Sequence, residues 1–142
     1  MNDTAQKFGY PDNLLAELDH WLVLLRPAQV TLGSLVLVCK EAASRFGEIG
    51  TAAGSELVTA VSRIEKALAE AFEYDKINYL MLMMVDPDVH FHVLPRYASE
   101  RGFGGETFRD PFWPGPPDVK RALELPPAVF EALRDELRGR FA

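Results

Sequence analysis

Cysteine, histidine and long apolar runs are all scarce in this chain of 142 residues. The single Cys39 excludes an intramolecular disulfide and a cysteine-built zinc ribbon, and it fits a reducing compartment. It lies in an apolar run, where a cysteine serves as a small buried hydrophobe. No apolar stretch approaches the ~20 residues that span a bilayer. Met1-Asn2-Asp3-Thr4 lacks a basic segment leading into an apolar one. No signal peptide and no membrane partner are therefore expected, and the chain is read as cytoplasmic. Positive charge is short as well. A net charge of −6 argues against polymeric nucleic acid as a partner, although one local basic pocket suffices for a small phosphorylated ligand. There is no P-loop, no dinucleotide-binding glycine fingerprint and no internal repeat, and no cofactor is expected.

What is present suits one domain over 1–142, with 48% hydrophobic residues to build a core without disulfide or metal. Residues 1–10 are polar and read as frayed. Asp12 or Asn13 caps a short helix over 14–18. His20–Arg26 is apolar on both faces and reads as a buried strand. A loop over 27–33 leads to a second strand, Ser34–Lys40, rich in β-branched residues. A short helix or turn, 41–46, and a loop, 47–54, follow. Ser55 is the expected N-cap of the main helix, because Leu57, Val61, Ile64, Leu68 and Phe72 then form one apolar stripe. Glu56, Arg63, Lys66 and Glu70 lie off it.

A hairpin comes next. Its first strand, Lys76–Met84, is apolar on both faces and is expected to be central; its methionines suit core packing or an adaptable subunit interface. Asp86-Pro87-Asp88 makes the turn. On the second strand, side chains alternate between faces. Asp88, His90, His92, Leu94 and Arg96 share one, and Val89, Phe91 and Val93 turn to the core, so Phe91 should be buried. A carboxylate, two imidazoles and a guanidinium on one face can hold and attack an anion, and a pocket is expected there. Beyond Tyr97, the segment 101–105 reads as flexible. The aromatic, proline-rich 108–117 reads as irregular, either a functional loop or a strap plugging a surface groove. Pro126-Pro127 opens a closing helix with Val129, Phe130, Leu133, Leu137 and Phe141 as its stripe.

The stretch Asp88-Val89-His90-Phe91-His92-Val93-Leu94-Pro95-Arg96 resembles the histidine triad (HIT) signature: three histidines at alternate positions, separated by apolar residues and followed by Pro-Arg. His90 and His92 match the second and third histidines, and Asp88 replaces the first. The resemblance extends from Trp21 to Tyr97. It implies an α+β fold, with about five antiparallel strands, one long helix, a short helix and a C-terminal helix. The core would be about 20–97, with 98–142 as an extended tail. It implies a homodimer and a nucleotide hydrolase or transferase acting at the α-phosphate of a small substrate, a dinucleoside polyphosphate or nucleoside phosphoramidate. The middle histidine, here His90, would be the nucleophile that forms a nucleotidyl-histidine intermediate. Other landmarks of the family differ: Gly33 is followed by Ser34, Lys40-Glu41-Ala42 has no histidine, and Leu25-Arg26-Pro27 offers no asparagine for a ribose.

On the residues themselves, His92 can donate to a phosphate oxygen and Arg96 can supply a fork of donors. Asp88, with its carboxylate, would accept from a neighbouring imidazole, fix its tautomer and raise its pKa. Two other readings stand beside catalysis. One is a degenerate HIT-fold protein that binds a nucleotide or phosphometabolite without turnover. The other is a metal site at Asp88, His90 and His92. His20, alone before Trp21, reads as a surface or core-edge residue.

Overall fold

The computed structural model describes residues Met1–Ala142. A short helix α1 (Asp3–Lys7) is followed by strands β1 (Leu14–Glu17), β2 (Trp21–Leu25), β3 (Ala28–Gln29) and β4 (Leu35–Cys39). The main helix α2 (Thr51–Phe72) leads to β5 (Lys76–Leu80) and β6 (His90–Arg96). Short strands β7 (Arg101–Phe103), β8 (Glu106–Phe108) and β9 (Leu123–Glu124) precede the closing helix α3 (Pro127–Phe141). Five strands form one antiparallel sheet in the order β1-β2-β4-β6-β5. The α+β class, the five-stranded sheet and the long and C-terminal helices all stand as the sequence led us to expect.

Strands β2 and β4 are buried along their whole length because both faces of the sheet are covered. On one face Trp21, Val23, Leu25, Leu35, Leu37, Cys39 and Val93 join α2 and α3 in the larger hydrophobic cluster. Helix α2 turns Ala53, Ala60, Ala67, Ile64, Leu68 and Phe72 inward. The alanines, seven residues apart, bring its backbone close to the sheet, and Trp21 Nε1 donates to the Ala53 carbonyl at 2.8 Å. Helix α3 buries Leu133, Leu137 and Phe141 against α2 and β1. Each fully buried aliphatic side chain of this layer stabilises the fold by about 1.5–3 kcal/mol.

The loop between β2 and β4 is closed from within. Gln29 accepts from the N–H groups of Gly33 and Ser34 and donates to the carbonyls of Arg26 and Ser34. Gly33 sits at φ +85°, a conformation that a side chain disfavours.

The other face holds Leu22, Leu24, Val36 and Val38, covered by Ala5, Phe8, Tyr10 and Leu14 from the N-terminal segment. Its far end is covered by the 109–117 segment. Arg96 donates from Nε and Nη2 to Asp110 at 2.7 and 3.1 Å, to Asn78 at 2.8 Å and to the Gly115 carbonyl at 2.9 Å. The segment is thus held across the sheet by Asp110 and Gly115 rather than by its aromatics, Phe112 and Trp113 being half-buried.

Several local expectations are corrected. Residues 14–17 are a strand, because Leu14 and Glu17 pair with Leu24 and Leu22; an edge position on the sheet outweighs local helix propensity. The helix lies instead at 3–7, where Asn2 caps the Ala5 N–H and Asp3 and Lys7 sit at the favourable ends. The main helix begins at Thr51 rather than after Ser55, with the Glu41 carboxylate accepting from the Gly50 N–H. Strand β5 stops at Leu80 and is an edge strand, not a central one. Met81 to Val85 are unpaired, with Met84 and Val85 exposed at 85% and 83%. Residues 101–108 form a small hairpin around Gly104-Gly105 rather than a flexible stretch, and Arg101 Nε and Nη2 anchor it to the carbonyls of Phe72 and Glu73. Phe91 is half-buried rather than buried, against Trp21 and Phe46 at ring distances of 6.2 and 5.6 Å.

Candidate functional site

The register of β4 and β6 sets the site. Val38 is opposite His90 and Val36 is opposite His92, so both imidazoles stand on the face away from α2. Their rings meet edge to face at 5.2 Å. His90 Nδ1 lies 2.7 Å from the backbone oxygen of Asp88. A carbonyl can only accept, so Nδ1 carries the proton and Nε2 of the neutral ring keeps its lone pair. The ring is held in one tautomer and one orientation by the main chain.

His92 is in a different setting. Burial, then the charge of Arg26 and then His90, hold its pKa down to about 4, against a weaker opposing pull from Asp86. It is therefore a neutral imidazole at pH 7 with one N–H to give. Its Nδ1 is buried without a partner, as is Nε of Arg26. Sequence reasoning passed over Arg26. The signal was its parity: it follows Leu24 at two residues' spacing on β2, and its N–H continues the ladder to Ser34, placing it on the same face as the histidines. Its other nitrogens donate to the carbonyls of Ala28 and Val119.

Asp88 reaches this site through its backbone alone. Its carboxylate accepts from the Thr4 N–H at 3.1 Å, and its own N–H donates to Thr4 Oγ1 at 3.2 Å. The expectation that the carboxylate contacts an imidazole is replaced by this reciprocal pair with α1. Arg96 shares the face, as alternation required, but Asp110, Asn78 and Gly115 engage its guanidinium. His20 is elsewhere, with its ring 3.6 Å from Glu41 and its N–H donating to Glu56. Asp88, His90 and His92 do not form a group with the geometry to hold a metal ion.

The face is closed. His90 is 2% exposed and His92 6%. The Phe8 ring stands over both, 6.2 Å from His90 and 5.7 Å from His92. No principal cavity is lined by either histidine. The expected pocket is thus occupied by the N-terminal segment, whose packing the sequence reading treated as frayed.

No family profile and no curated protein matches the chain. Solved structures do. A histidine triad protein from Marinobacter aquaeolei superposes with a TM-score of 0.77 at 20% identity, over 99% of this chain and 94% of the other. A histidine triad protein from Bradyrhizobium japonicum gives 0.76 at 20% identity, over 100% and 97%. A hypothetical histidine triad nucleotide-binding protein from Sulfolobus tokodaii gives 0.69 at 18% identity, over 91% and 83%. The fold of this chain is that of the histidine triad proteins. No helix is long and apolar enough to cross a membrane.

Proposed function

We propose that this protein of histidine triad fold is a nucleotide hydrolase or transferase that acts at the α-phosphate of a small substrate, with His90 as its nucleophile. One observation carries the reading: the 2.7 Å contact between His90 Nδ1 and the Asp88 carbonyl. In the neutral ring it puts the proton on Nδ1 and the lone pair on Nε2, aimed by the backbone, which is what an attacking imidazole requires. The Nε2 lone pair forms a bond to the α-phosphorus. The bond from phosphorus to the leaving oxygen or nitrogen breaks, and its electron pair leaves with that group, which takes up a proton. Water then adds to the phosphorus and gives one proton to solvent, which balances the proton the leaving group took from solvent; the P–N bond breaks, its pair returns to the imidazole, and a nucleoside monophosphate is released.

His92, neutral and two residues on, donates its N–H to a non-bridging oxygen as charge shifts onto the phosphoryl group. Such preorganised donors supply much of phosphoryl-transfer catalysis. Arg26, with an unpartnered Nε, is a fixed positive charge beside His92. The chain acts as a homodimer: β5 is an open sheet edge, and Leu82, Met84 and Val85 next to it are exposed apolar surface.

The burial of His90 favours a second reading, a protein that binds nucleotide without turning it over. One experiment separates the two. The full chain is incubated with adenosine 5′-phosphoramidate and with a diadenosine polyphosphate, then quenched and examined by mass spectrometry for an adenylyl group on His90. An adduct in wild type, absent in His90→Ala, together with at least a thousandfold loss of turnover in that variant, supports catalysis. Binding without adduct or product supports the second reading.

A further inference from the structure

The contacts of α1 give Asp88 a role that its place in the motif does not suggest. Thr4 and Asp88 bond reciprocally, main chain to side chain in each direction. One turn further along the same face of the helix, Lys7 Nζ and Asp86 Oδ1 meet at 2.7 Å. Asn2 Nδ2 donates to the Cys39 carbonyl at 2.9 Å, tying the start of the segment to the end of β4. Between these ties, Thr4 and Ala5 are fully buried and Phe8 stands over the two imidazoles. All three ties reach the end of β4 or the 86–88 turn, so the segment is held at the rim of the site it covers.

An attack at phosphorus needs the reacting atoms within about 3–3.5 Å, and a ring that is 2% exposed admits no such partner. We propose that residues 2–8 form a lid latched by Asp88–Thr4 and Lys7–Asp86, and that the lid swings away from the sheet to admit substrate to His90. A carboxylate suits position 88 because it only accepts, and the group presented to it is the Thr4 N–H. Asp88 is thus a positioning residue. Its carbonyl orients His90, and its side chain fixes how often the ring is reachable. Opening breaks these few polar ties and uncovers the small cluster that Ala5 and Phe8 cover on this face, while the larger layer under α2 and α3 stays packed.

The purpose of the lid rests on the nucleotidyl-transfer reading, but its existence can be tested without any substrate. Diethyl pyrocarbonate acylates neutral imidazole, and the labelled residue is identified by mass spectrometry on the full-length protein. Half-exposed His20 is the internal standard. Cys39, fully buried in the opposite layer, reports global opening through its reaction with a thiol reagent. In wild type, His90 is expected to label at least tenfold more slowly than His20. Asp88→Ala should raise the His90 rate roughly tenfold, the change that loss of a charge-assisted hydrogen bond makes to an opening equilibrium, and Phe8→Ala should raise it separately by removing the ring that stands over the imidazole. The rates at His20 and Cys39 should not move. Lys7→Asp alone should raise the His90 rate, and adding Asp86→Lys should lower it again. The lid is overturned if wild-type His90 labels as fast as His20. It is also overturned if the variants leave His90 unchanged, or if Cys39 accelerates in parallel, since exposure would then be global. Slow labelling without nucleotidyl transfer would leave the lid standing and remove the catalytic reading; fast labelling with transfer would do the reverse.

Discussion

Replacing Asp110 by alanine tests whether Arg96 holds the strap or serves the site. The substitution removes both carboxylate oxygens. Arg96 loses its bonds from Nε and Nη2, and the N–H groups of Tyr97 and Phe112 lose theirs at 3.3 and 3.1 Å. The two side chains are 5% and 0% exposed, so water cannot readily replace what is lost. The guanidinium is left with Asn78 and one carbonyl. Breaking a buried pair from one side costs about 3–5 kcal/mol, a large share of the roughly 5–15 kcal/mol that holds a domain together. Removing both partners, as Arg96→Met with Asp110→Leu, should cost much less, because no charge is stranded. Urea unfolding at pH 7 of wild type, Arg96→Met, Asp110→Leu and the double variant gives the coupling energy, expected near 2–3 kcal/mol. A cost for Asp110→Ala within about 0.5 kcal/mol of zero, or no measurable coupling, would refute the argument. So would an Arg96→Lys protein of unchanged stability and raised KM, which would return Arg96 to the substrate.

Two further outcomes follow from the same geometry. His92 has its pKa lowered to about 4 in the folded chain, from an ordinary 6.5. The unfolded chain therefore takes up a proton below about pH 6.5 that the folded one refuses until about pH 4. Stability present above pH 6.5 is lost over that window, by at most about 3 kcal/mol. His92→Asn should flatten the fall of the urea midpoint between pH 7 and 4, and curves parallel to wild type would sink the idea. The open edge of β5 with exposed Met84 and Val85 predicts a dimeric mass in light scattering at micromolar concentration, shifted toward monomer by Met84→Asp. A strictly monomeric wild type would count against it.

The sequence by itself determined what depends on period and composition. The apolar runs His20–Arg26 and Ser34–Lys40 read as strands, the first covered on both faces, and the structure pairs Trp21–Leu25 with Leu35–Cys39. The 57–72 stripe could only be an amphipathic helix, and alternation from 90 to 96 put His90, His92 and Arg96 on one face of β6. Tertiary structure decided what depends on partners distant in the chain. Leu14 to Glu17 became a strand because β2 offered an edge. Arg96 was drawn to Asp110, fourteen residues on, and so away from any ligand. Asp88 was claimed by Thr4, eighty-four residues back, leaving only its carbonyl for His90. A strand fixes which face a side chain leaves from, but which charged or hydrogen-bonding group it meets there is set by the segments that fold across that face.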